Sequence, residues 1–191
     1  EGIGLHTGEE TKVRLKPSEN LGFYLTFSED LDKKIKLNIN QVRNSPLCTK
    51  LEFGNKTIST IEHLLAALIG CGLTHAQIEV SGSEIPLLDG SALGWVEAIK
   101  EVGIVKAATP KAKAISIEKP LIINRGSSVI TAIPAEKFKV IGMIDFPYKA
   151  IGKQMYEIEL TPEKFVEEIA PARTFGFKDQ IEKLIELGLI K

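Results

Sequence analysis

Apolar and polar positions alternate strictly over short runs at the start of the chain. Val13 and Leu15 alternate with charge in 11–17, and the same two-residue period recurs in 23–28 and 34–39, bounded by Pro, Asn and Gly. Side chains two apart share one face of a strand, so the pattern predicts half-buried β-strands. Two more short strands are expected around a turn at Gly54 and Asn55. The period then lengthens to that of a helix at Ile61, Leu64, Leu65, Leu68 and Ile69, and the glycine after it marks a stop. A further strand with Ala76, Ile78 and Val80 in alternation leads to a second helix whose apolar stripe is Leu93, Val96, Ile99 and Val102, closed by Gly103. Residues 104–114 lose periodicity and are rich in alanine and lysine with one proline, the composition of a linker. The chain is therefore expected to divide into a first domain, 1–106, a linker, 107–113, and a second domain, 114–191. The second repeats the outline of the first: strand-like runs at 114–124, 127–135 and 138–147, then a Thr161-Pro162 helix start and a helix with Ile181, Leu184 and Ile185 before Gly188. Strands and helices in separate runs predict an α+β fold.

Composition narrows the function classes. The chain has 191 residues, 43% of them hydrophobic, ample for a packed core, and its 24 Lys plus Arg nearly balance 25 Asp plus Glu. No overall field draws it to nucleic acid or an anionic membrane. The two cysteines, Cys48 and Cys71, are too few for a disulfide framework and lack metal-type spacing, which fits a reducing compartment, the cytoplasm. No window reaches the roughly 18 to 20 apolar residues of a membrane span.

The candidate chemistry centres on "STIEHLLAAL", residues 59–68. Ser59 followed three residues later by Glu62, just ahead of an apolar run, fits a capping box, in which the two side chains satisfy each other's orphan backbone donors. That accounts for Glu62 as fully as catalysis does. His63 shares a helix face with Ala66, Ala67 and Gly70, whose small size lets a backbone or ligand approach. The positive end of the helix dipole would favour its neutral, metal-ligating form, although a histidine filling a crevice is equally compatible. His6 lies in a glycine-flanked turn, "GIGLHTG", and could line a site or make a local hydrogen bond. His75 reads as structural. "EIPLLDGSA" carries Glu84 and Asp89; Asp89 before Gly90 and Ser91 reads as a turn residue or N-cap. In "PARTFGF" the choice is between a buried strand with one satisfied hydroxyl and a loop presenting Thr174 to a reacting oxygen. HExxH, CxxC, GxSxG and phosphate-loop patterns are absent from the sequence, which disfavours a kinase.

Taken together and in order, "GIGLHTG", "LCT" at 47–49, "STIEHLLAAL", "EIPLLDGSA" and "ARTFGF" resemble the zinc-dependent UDP-3-O-acyl-N-acetylglucosamine deacetylases of lipid A biosynthesis. The resemblance runs over essentially the whole chain. It implies two α+β domains, each a sheet with two helices, the helices packed between the sheets. It implies Zn²⁺ as cofactor, hydrolysis of an N-acetyl group with release of acetate, and a UDP-linked acylated amino sugar as substrate. Residue by residue, His63 matches a zinc ligand and Glu62 the general base that activates water. Thr174 matches the threonine that helps hold the oxyanion; Leu47, Cys48, Thr49 and Phe175 match substrate-lining positions; His6 has a supporting role. The family's first strand would lie before Glu1. Its other zinc ligands, a histidine and an aspartate one helical turn apart, and a second catalytic histidine would lie beyond Lys191. A single imidazole does not make a tight zinc site, so the chain is expected to be an inactive fragment, aggregation-prone at the exposed sheet edge of an incomplete second domain. The whole enzyme is expected to be monomeric, with no nucleic-acid partner and no integral membrane segment. A non-catalytic α+β binding module that has lost its metal site is the competing class.

Overall fold

The computed structural model describes residues 1–108 and 115–191, with the backbone alone at Asp179. Its elements run β1 (Gly2–Ile3), β2 (Glu10–Thr11), β3 (Val13–Lys16), β4 (Gly22–Phe27), β5 (Asp30–Lys36), β6 (Val42–Arg43), β7 (Lys50–Phe53), β8 (Lys56–Ile58), α1 (Glu62–Gly70), β9 (His75–Val80) and α2 (Leu93–Val102). There follow β10 (Leu121–Arg125), β11 (Ser128–Ala132), β12 (Lys139–Asp145), β13 (Lys153–Glu159), α3 (Pro162–Lys164), which continues as a wider turn over Phe165–Ile169, and α4 (Lys178–Glu186). The fold is α+β, as the alternating and helical periods predict. The linker expected at 107–113 lies, apart from Ala107 and Ala108, outside the described residues.

A four-stranded sheet ordered β3-β9-β4-β5 forms the floor of the first half, with β4 and β9 parallel and the other pairs antiparallel. Its alternation sends Leu25, Phe27, Ala76, Ile78 and Val80 into a core shared with Leu51 and Ile58 of the β6-β7-β8 meander. Onto that core α1 presses Leu64, Ala67 and Leu68, and α2 presses Trp95, Val96 and Ile99. Burying one Leu, Ile or Val side chain contributes about 1.5–3 kcal/mol, so this cluster fixes where the start of α1 emerges.

Three expectations change. The strand expected over 34–39 runs instead over Asp30–Lys36 and stops because Asn38 caps a short 3-10 turn at Ile39–Gln41. Asn38 accepts from the Asn40 amide at 3.0 Å while the Gln41 side chain accepts from the Asn38 amide at 2.9 Å. The capping box of the first half is therefore here and not at Ser59. Strand β13 has no counterpart among the expected strands: its sequence sets Met155 and Tyr156 side by side instead of alternating, and only Ile158 of its seven residues is buried. Finally, β10–β13 pair as two separate antiparallel hairpins, not one sheet. Ile123 faces Ile130 across the first hairpin, yet the two are 61% and 70% exposed. The second half reaches the core through Phe165 and Ala170.

Candidate functional site

Helix α1 begins at Glu62 with Ile61 as its N-cap, and no side chain closes that cap. The Ser59–Glu62 capping box is thus overturned. Ser59 belongs to a strand-like bridge: its amide donates to the Ser83 carbonyl at 3.0 Å and its carbonyl accepts from Ile85 at 2.9 Å. Thr60 then takes a left-handed backbone, φ 60°, which turns the chain between that bridge and the helix start. A β-branched residue rarely adopts that conformation. Its hydroxyl is held by Glu84 at 2.9 Å.

Released from capping, the Glu62 carboxylate accepts from the Thr49 amide at 3.0 Å. This bond draws the 47–49 segment against the first turn of α1. Beside it Cys48 Sγ lies 3.3 Å from the Ser45 hydroxyl, and Leu47 is 44% exposed. Cys48 and Thr49 border an open cavity of about 500 Å³, closed on other sides by Ser45, Arg43 and, from the tip of the β10–β11 hairpin, Arg125. His63 is half-buried and, among the described residues, its side chain makes no hydrogen bond or ion pair. The small-residue face it was expected to share is put to use at its far end. At Gly70 the Phe165 ring lies so close that a β-carbon would collide with it.

His6 and Thr7 are tied to the same region by Glu84. This carboxylate is fully buried and accepts from the His6 amide at 3.1 Å, the Thr7 amide at 2.8 Å, and the Thr7 and Thr60 hydroxyls, each at 2.9 Å. Burial pushes the Glu84 carboxyl up, but these four donors outweigh it and hold the group below the ordinary carboxylate value. At Gly4 a β-carbon would collide with the same carboxylate. The His6 ring meets the Leu189 carbonyl at 2.5 Å through Nδ1. A carbonyl only accepts, so Nδ1 carries the proton.

Thr174 stands on an exposed loop between the end of α3 and α4, which rules out the buried-strand alternative. Its amide donates to the Gly90 carbonyl at 2.8 Å, while Arg173 pairs with Asp89 at 3.2 Å. Asp89 is a turn residue, accepting from the Ser91 amide at 3.0 Å and hydroxyl at 2.7 Å; Ala92, not Asp89, is the N-cap of α2. The Ser91 bonds, with Arg173 second, hold the Asp89 carboxyl below its ordinary value. Phe175, 58% exposed, packs edge-on against Phe146 and Phe177 at 5.8 and 5.7 Å. The structure thus gathers Glu62, His63, Thr49 and the His6 turn around the start of α1, and places Thr174 and Phe175 on the loop before α4, with the Thr174 backbone tied to the Gly90 turn that precedes α2.

Sequence reasoning quoted Glu84 without a role. Its partners lie 24, 77 and 78 residues away, and the available signal is a lone acid between small residues and Ile85-Pro86. His75 opens β9 with Nδ1 2.6 Å from the Thr74 hydroxyl, in keeping with a structural reading.

Compared with known proteins, residues 1–191 match the family model described as UDP-3-O-acyl N-acetylglycosamine deacetylase. The chain belongs to this deacetylase family. Among curated relatives named UDP-3-O-acyl-N-acetylglucosamine deacetylase, that of Nostoc sp. is 44% identical over all of this chain and 70% of its own length, and that of Synechocystis sp. is also 44% identical over the same shares. A deacetylase of the same name from Geobacter sp. is 36% identical over 98% of this chain and 62% of its own length. Whether the chain's own residues fit the zinc that the family resemblance implies can be tested against the donor set. A zinc hydrolase site takes three protein ligands with an open position. Among the described residues there is no group of three His, Cys, Asp or Glu that could hold a metal, so these residues do not by themselves make a zinc site. No helix among them is long and apolar enough to cross a membrane.

Proposed function

We propose that this chain carries part of the active site of a deacetylase that hydrolyses the N-acetyl group of UDP-3-O-acyl-N-acetylglucosamine, releasing acetate and leaving a free 2-amino group, in lipid A biosynthesis. The observation that carries this reading is the state of Glu62. Its carboxylate is not consumed by capping; it is held by one neutral donor at the mouth of α1, with His63 beside it and the 47–49 segment in front. A carboxylate so placed keeps lone pairs free to take a proton from an attacking water. In this reading Thr174 donates to the oxygen on which charge develops as water adds to the acetamide carbon. Leu47, Cys48, Thr49 and Phe175 line the substrate, and His6 supports the first turn of the site. The intact protein acts in the cytoplasm as a monomer.

Zn²⁺ is the cofactor of this reading, with His63 as the ligand contributed by these residues. Because one imidazole does not close a zinc site, the 191-residue chain by itself is expected to bind zinc weakly and to lack turnover. Titrating the purified chain with Zn²⁺ checks this; tight one-to-one binding would contradict it. In the intact protein, Glu62→Ala should lower acetate release by about 100- to 10,000-fold, the contribution typical of a general base, while bound zinc measured by elemental analysis stays at the wild-type level. Retained turnover in that variant, or parallel loss of zinc and activity, would sink the proposed role of Glu62.

A further inference from the structure

We propose that Glu84 is a positioning residue of this site: its buried carboxylate, through Thr60, sets the direction in which α1 delivers Glu62 and His63, and through His6 and Thr7 locks the first-motif turn to the same point. The proposal rests on the reading of Glu62 and His63 as reacting groups. Three observations carry it. The Ser59 backbone is already fixed by its bridge to Ser83 and Ile85, so the chain is free to turn at the next residue. At that residue the backbone is left-handed, and the Thr60 hydroxyl bond to Glu84 Oε1 is the side-chain contact that holds it there. Glu62 follows two residues on. The other oxygen, Oε2, accepts from the Thr7 amide and hydroxyl, and the missing β-carbon at Gly4 leaves it room. All the groups facing the carboxylate present donors, and two of them are backbone amides, which an amide side chain would meet with N–H against N–H. The site is therefore built for a carboxylate.

A buried acid serving only the core would have the same contacts, so the test needs a readout that bulk stability does not move. The Thr49 amide provides it, because it donates to the Glu62 carboxylate and its hydrogen exchange reports where Glu62 stands. In the intact protein, Thr60→Val removes the hydroxyl at nearly constant shape, Thr60→Ser restores it, and Glu84→Gln removes the charge. The expected result is that Thr49 exchange rises by about tenfold or more in the Val and Gln variants relative to amides of β9, with kcat down about 100-fold and KM little changed, as for a small misplacement of reacting groups. Thr60→Ser should recover both. Unchanged Thr49 protection in folded Thr60→Val, or equal impairment in Thr60→Ser, would overturn the proposal. Unfolding of Thr60→Val would overturn it too, since the contact would then serve the whole fold; if Glu84→Gln alone unfolds, the Thr60 pair decides. A wild-type protein without deacetylase activity would remove the functional reading while the exchange comparison still judges the positioning.

Discussion

At Glu84 a single carboxylate has no charged partner among its hydrogen bonds, and neutral donors do the work of a counter-ion. Each such bond to a charged group contributes about 1.5–3 kcal/mol net, enough in combination to offset the cost of burial. Because the folded pKa lies below the unfolded one, the stabilisation is fully present above the ordinary carboxylate pKa of about 4.3 and is lost as pH falls through the depressed folded value. The stability gap between wild type and Glu84→Gln, read from urea unfolding at several pH values, should therefore be widest near neutrality and shrink in acid. A gap that widens towards acid would contradict the assignment. Asp89, also depressed, sits at the exposed Arg173 pair, where solvent screens the ion pair and leaves it little effect on stability. Arg173→Ala should therefore leave the unfolding midpoint almost unchanged.

Helix α1 does two jobs at its two ends. Its first turn presents Glu62 and His63, and its last turn receives the Phe165 ring on Gly70. Gly70→Ala should destabilise the protein by about 1–3 kcal/mol through overpacking, outweighing the roughly 1 kcal/mol that alanine gains over glycine inside a helix. Phe165→Ala should cost about 3–5 kcal/mol by opening a cavity. Combining the two should cost less than their sum, because the clash disappears with the ring; thermal unfolding of the double variant checks this. The period of α1 was readable in the sequence because one face is buried. Its entry was not: the spacing of Ser59 and Glu62 is that of a capping box, and only the left-handed turn at Thr60 shows why the box does not form.

Across the whole molecule burial is uneven. The first half packs two helices on a four-stranded sheet, whereas the hairpins β10–β11 and β12–β13 leave Ile122, Ile123, Ile130, Ile141 and Met143 more than half exposed. Exposed β-branched strands are templates for further pairing, so the 191-residue chain should self-associate with rising concentration, and Ile130→Lys should reduce light scattering without lowering the unfolding midpoint of the first half. Where a strand or helix buries one face, as in β4, β9, α1 and α2, the α+β class and the element order were legible from period alone. Strand β13, with Met155 and Tyr156 adjacent and only Ile158 buried, carries no clean alternation to read. The same division holds for the site. Sequence by itself determined which residue types stand together locally: Glu62 beside His63, Thr174 beside Phe175, a histidine between glycines. Only the tertiary structure decided that Glu62 is held by Thr49 and not by Ser59, and that Glu84 joins three distant segments. A hydrogen bond leaves no trace in residue order when its partners come from separate elements, 13 residues apart for Thr49 and Glu62 and up to 78 for Glu84 and His6.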